Sequence, residues 1–224
     1  MKENKKYFIM SAVLLVLFVI FVILAKTVDV AAVGPMSSEM GFASINKSAA
    51  DAIGYNESIY NVSKSLSYFG IAVMVVFGLF GAMQLYYKKG PKNVDKDLYA
   101  LYGLYVLGLI VYIVLEKVVI NSSPVFSNGL KVSYSSFYII LAVAFMGAAI
   151  VEFNARLKAK KVKIIVLTLC ILDGIGLLVT RLVSGVHWIM DIIESMLISV
   201  ACFLLFLGVF NVIVQNKKKN SSNL

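Results

Sequence analysis

The chain has 224 residues, of which 60% are hydrophobic and 15% charged, with a formal net charge of +9 and a mean hydropathy of +0.89. Soluble domains carry roughly 45–50% apolar residues, and here apolar runs of near 20 residues recur along the whole length. That excludes a soluble globular domain and predicts a polytopic helical membrane protein. The basic excess is not a nucleic-acid signal, because it sits mainly in short segments between apolar runs.

Six spans are predicted in chain order, at about residues 7–25, 66–86, 98–115, 136–151, 164–180 and 188–214. Together they make an all-α bundle of six transmembrane helices in one integral membrane domain over residues 1–224. The first span follows Lys2, Lys5 and Lys6. It is longer than the roughly 7–15-residue core of a signal peptide and reads as an anchor. The polar stretch between Lys26 and Lys64 has Ile45, Ala49, Ile53 and Tyr60 at helix-like intervals and is expected to hold short interfacial helices. Asn46, Asn56, Asn61 and Asn121 begin glycosylation sequons, which matter only in a eukaryotic host. Cys170 and Cys202 fall inside spans and read as small buried hydrophobes. Tyr86, Tyr87, Tyr99, Tyr102, Tyr134 and Tyr138 lie near span ends and read as interfacial belts.

The basic residues orient the chain. The N-terminus, the loop after span two, the loop after span four and the tail hold 15 of the 21 Lys and Arg residues. By the positive-inside rule both termini are cytoplasmic. The start of span six then faces the extracytoplasmic side of a plasma membrane, for which the lysine-rich, cysteine-poor composition suggests a bacterial host.

At that start stands the chain's one histidine. His187 lies within Thr180-Arg181-x5-His187-x3-Asp191. Arg181, His187 and Asp191 are costly at a membrane boundary unless they pair or do chemistry. His187 and Asp191 are four apart, so on a helix they share a face. A carboxylate holding an imidazole beside a guanidinium suits attack on phosphate, or a grip on it. A structural pair stitching two helices is the plainer reading. Asp173, inside span five, is expensive there and wants a partner. Glu194 is either bundle-facing or an outlier. No metal-ligand cluster, Gly-rich phosphate loop or nucleic-acid motif occurs, and no cofactor is expected.

The pattern resembles the third signature of the type-2 phosphatidic acid phosphatase family, Ser-Arg-x5-His-x3-Asp, with Thr180 in place of serine. Gly185-Val186-His187-Trp188 is similar to its bacterial members. The resemblance implies six spans and a metal-independent site on the outer face acting on a phosphorylated lipid. His187 is then the nucleophile that becomes phosphohistidine, Asp191 orients it, and Arg181 holds phosphate oxygens. Two earlier signatures are altered. In Lys-x6-Arg-Pro, Pro124 is present, Ser123 stands at the arginine, and Lys117 is one residue from the lysine position. In Pro-Ser-x-His, Ser135 and Ser136 remain, Tyr134 stands at the proline and Phe137 at the histidine. Lys117, Ser135 and Ser136 are the implied further phosphate contacts. Losing the histidine, the family's general acid and base, costs about 10²–10⁴ in rate, and losing the arginine about 10² more. Residual turnover would then favour diphosphates, whose leaving group is better.

Two functions follow. One is a lipid phosphate or diphosphate phosphatase. The other is a weak or inactive homologue that binds a phosphorylated lipid or a membrane partner. An unrelated carrier would need ionisable residues at mid-membrane on several helices, where only Asp173 and Glu194 qualify.

Overall fold

The structure, a computed structural model, describes residues 2–34, 37–118, 124 and 137–222. Helix α1 (Lys2–Thr27) leads into a short antiparallel hairpin, β1 (Ala31–Val33) and β2 (Ser38–Met40), and then α2 (Ala43–Ile53). The remaining long helices are α3 (Glu57–Tyr87), α4 (Lys96–Val118), α5 (Phe137–Arg156), α6 (Lys160–Val183) and α7 (Ile189–Ser222). Six of these helices, all but α2, are long and apolar enough to cross a membrane, as the hydropathy pattern predicts. The hairpin is an addition that the sequence reading did not contain.

The boundaries moved most at α3, which begins nine residues before its predicted start. Asn56 caps it, its side-chain oxygen accepting from Ile59 N at 3.0 Å, and Glu57 follows in the first turn. Residues 57–65 are too polar to register as membrane-spanning, yet a capped first turn carries the helix into them. In α2 the expected helix exists, but its inward face is Ala43 and Asn46. Ile45 and Ile53, on the face expected to pack, are 50% and 38% exposed.

Helix α5 is the most buried span and the centre of the bundle. Ile140, Leu141, Ala144, Phe145, Ala148 and Ala149 pack against Leu98, Leu101 and Leu104 of α4, Leu177 of α6, and Ile198, Cys202 and Phe206 of α7. Between lipid-facing helices the hydrophobic effect gives little, so close packing must supply the association energy. Glycines permit it: Gly70 faces Leu141, Gly108 faces Phe145 and Gly147 faces Phe203. Within α5, residues Leu141–Phe145 form a π-helical turn, an extra-residue insertion often found beside functional sites.

Helix α1 is peripheral and runs antiparallel along α7. Asn4 donates to Gln215 at 2.8 Å and Ser11 Oγ to Ala201 O at 2.8 Å, and the Phe8 ring lies against Gly208. The two ends of the chain therefore lie at one end of the bundle. The same end carries a charged cluster. Arg156 joins Glu152 (2.9 Å), Asp95 (3.1 Å) and Asp97 (2.5 Å), and Lys88 joins Asp95 at 2.9 Å. Burial raises the Asp95 pKa, but hydrogen bonds from Lys88, Gln84 and Arg156 outweigh it and hold the carboxyl well below the usual range.

Candidate functional site

At the opposite end, α6 finishes at Val183 and α7 begins at Ile189, and the intervening turn is built from the motif residues. Gly185 is the pivot. Its φ of 68° lies in the left-handed region, and a Cβ there would collide with Gly54 O. Only glycine satisfies both demands. The turn is tied to the α2–α3 connection by Asn56 N donating to Ser184 O at 3.0 Å. Asn46 of α2 fastens its other side: the buried side chain donates to Gly41 O at 3.1 Å and accepts from Met190 N at 3.2 Å. Met190 N is one of the amides that a helix start leaves without an intrahelical acceptor, so Asn46 caps α7 from another helix. This buried role displaces the sequon reading of Asn46.

His187 lies in the turn, two residues before α7, and not on the helix. The helical i,i+4 argument for His187 and Asp191 is corrected accordingly. The histidine is held by the turn, and Asp191 by the first turn of α7, where the helix dipole favours a carboxylate. His187 is half-buried, whereas Asp191 and Glu194 are buried. Glu194 thus faces the bundle, one of the two readings its position allowed.

Arg181 stands in the last turn of α6 and is 2% exposed. Its guanidinium carbon is 3.4 Å from the centre of the Tyr138 ring and 5.1 Å from that of Tyr60. Two aromatic faces hold the guanidinium plane, each contributing about 0.5–2 kcal/mol as a cation–π contact. Nε and Nη2 are buried and have no hydrogen-bond partner among the described residues. These two nitrogens form one edge of the guanidinium, the edge that pairs two oxygens of a phosphate or carboxylate.

Tyr138 and Tyr60 are the site residues that sequence reasoning missed. Tyr138 stacks on Arg181 and is not the interfacial belt residue its position at a span end predicts. Its only available signal was adjacency to the altered second signature. Tyr86 and Tyr87, by contrast, are exposed, as belt residues should be. Phe137 sits behind Tyr138: its ring centre is 5.6 Å from Tyr112, 6.1 Å from Phe145 and 6.4 Å from Tyr138, in an aromatic cluster that also takes in Tyr105. At the start of α5 it is therefore residue 138, not 137, that addresses Arg181.

Lys117 lies in the last turn of α4, at the same end of the bundle as His187; its side chain is outside the described residues. Ser123, Tyr134, Ser135 and Ser136 are also outside them, and Pro124 occupies a half-buried bend. Among the described residues no group of three or more His, Cys, Asp or Glu is placed to hold a metal.

Six packed spans, with Arg181 ending the fifth and His187 in the turn before the sixth, define the class of fold. It is similar to that in the crystal structure of the first transmembrane PAP2 type phosphatidylglycerolphosphate phosphatase from Bacillus subtilis. The TM-score is 0.62 at 14% sequence identity, and the match covers 91% of this chain and 96% of that one. No family model matches the sequence, and no curated protein matches it. The likeness is one of fold.

Proposed function

We propose that the protein is a membrane-embedded lipid phosphate or diphosphate phosphatase that works through a phosphohistidine without a metal. The observation that carries the reading is the Arg181 fork. A buried guanidinium with two donors unmatched is costly, and a phosphoryl group offers two oxygens at the spacing those donors require. In this reading Arg181 holds the phosphoryl oxygens. A ring nitrogen of His187 attacks phosphorus in line and the phosphorus–oxygen bond to the lipid breaks, the lipid leaving as an alcohol that takes its proton from water, or as a phosphate monoester when the substrate is a diphosphate, while Asp191 accepts from the other ring nitrogen and fixes the tautomer. Water then cleaves the phosphorus–nitrogen bond and returns the imidazole. Lys117, Ser135 and Ser136 are proposed as further phosphate contacts from the α4–α5 connection. The lysine distribution supports cytoplasmic termini and a site on the extracytoplasmic face of the plasma membrane, and residues 1–224 are treated as one domain.

A second reading is favoured by Phe137, which stands at the sequence position where the resembled family has its proton donor and packs among aromatic rings. The protein would then keep the grip on a phosphorylated lipid and have lost turnover. Phosphate release from phosphatidate and from a polyprenyl diphosphate, with purified protein in detergent and no added metal, separates the two. Release that disappears in His187→Ala supports the enzyme. Binding of either lipid that depends on Arg181, with no release from wild type, supports the second reading. Neither release nor binding refutes both.

A further inference from the structure

A cavity whose lining does not include Arg181 lies between α3 and α6. It has a volume of about 590 Å³ and is lined by Val62, Leu66, Phe69, Leu169 and Leu172, with Ser58, Asn61 and Ser65 along one wall and Asp173 on the other. The polar groups are ordered in depth. Ser58, Asn61 and Ser65 recur at helical spacing on one face of α3, descending from the end where Asn56 N meets Ser184 O. Asp173 lies about 16 Å below Ser184, at ~1.5 Å per residue of helix. That is near the middle of a hydrocarbon core of about 30 Å.

Asp173 is 5% exposed, and neither of its carboxylate oxygens has a hydrogen-bond partner among the described residues. Among the described residues no cation lines the cavity, and Lys64, on the same helix as its polar wall, has its Nζ 4.3 Å from the centre of the Tyr60 ring. A carboxylate at this depth is costly unless a partner neutralises it, and such residues ordinarily face a partner or a pathway. The surroundings specify the partner. Apolar walls take an apolar body, and the carboxylate at the centre takes a cationic donor. We propose that the cavity binds an amphiphile carrying a protonated amine, its ammonium against Asp173 and its hydrocarbon along Leu66, Phe69, Leu169 and Leu172.

The test uses the full chain in lipid nanodiscs at neutral pH, with dodecylamine as the probe and dodecanol and dodecanoate as controls. Binding is read by native mass spectrometry and by the thermal unfolding midpoint. Dodecylamine is expected to bind and to raise the midpoint, while dodecanol and dodecanoate bind at least about tenfold more weakly. Asp173→Asn is expected to weaken dodecylamine about tenfold or more, the scale for removing one partner of a buried charge pair. Leu169→Trp fills the cavity and is expected to do the same with the carboxylate intact. Should that variant not fold, Leu172→Trp closes the same space. Equal binding of amine and alcohol, undiminished binding to Asp173→Asn, or a second copy of the chain cross-linked through this face in place of the probe would each overturn the proposal.

Discussion

Replacing Arg181 with methionine separates a phosphate-gripping role from a structural one by the sign of the stability change. The substitution removes a cation whose Nε and Nη2 are unmatched inside the protein, a cost of about 1–3 kcal/mol per group and more for charged ones. It also removes two ring contacts, at 3.4 and 5.1 Å, worth about 0.5–2 kcal/mol each. Methionine refills most of the volume and packs favourably against aromatic rings. The two sides nearly cancel, so Arg181→Met should unfold within about 1 kcal/mol of wild type, or later, when no phosphate is present. Its affinity for phosphatidate should fall sharply. Losing two charge-assisted hydrogen bonds at about 1.5–3 kcal/mol each is a loss of at least about 100-fold, at 1.4 kcal/mol per decade. Thermal unfolding in detergent gives the first quantity, and phosphatidate binding by native mass spectrometry the second. Destabilisation by more than about 3 kcal/mol with phosphatidate binding intact would refute the reasoning, because Arg181 would then be a structural tie.

Three further outcomes follow from the geometry. Phe137→His should raise phosphate release less than Tyr138→His does, since the Phe137 ring packs on Tyr112, Phe145 and Tyr138 while residue 138 itself stacks on Arg181; the comparison is made by release from a polyprenyl diphosphate. Gly185→Ala meets both a φ of 68° and the Gly54 carbonyl, so it should destabilise by about 1–3 kcal/mol and lower phosphatidate binding, whereas Gly78→Ala, with open space around its Cβ position, should do neither. Asp95 is held below the ordinary aspartate value of 3.8 by Lys88, Gln84 and Arg156 against the opposing effect of burial. Its contribution to stability is therefore complete above about pH 4 and fades as pH falls toward the lower, folded-state pKa. Asp95→Asn should flatten the acid limb of the unfolding-midpoint profile below pH 4, and an unchanged limb would remove Asp95 from that role.

The sequence by itself determined the six-helix membrane architecture. A bilayer requires each crossing segment to satisfy its own backbone and to be apolar over its width, and both requirements are local. They can be read from one stretch at a time. The motif at residues 180–191 was legible for the same reason, since its spacing is a property of one segment. The pattern did not show that Gly185 turns the chain there and places His187 off the helix.

What only the tertiary structure decided were contacts between segments distant in the chain. Asn46 caps a helix that begins more than a hundred residues later, and no local pattern distinguishes that asparagine from a surface one. Tyr60 and Tyr138 reach Arg181 from two other helices. The π-helical turn at Leu141–Phe145 lies one turn beyond Phe137 and Tyr138, and the direction each of those two rings takes was invisible in sequence. A side chain's direction depends on the cumulative rotation of its helix and on what the neighbouring helix leaves open. Likewise, that Asp173 is costly follows from its position in an apolar run, but that it lines a cavity follows only from how α3 and α6 fit together. Local chemistry set the elements and the reactive residues; packing set which of them face one another.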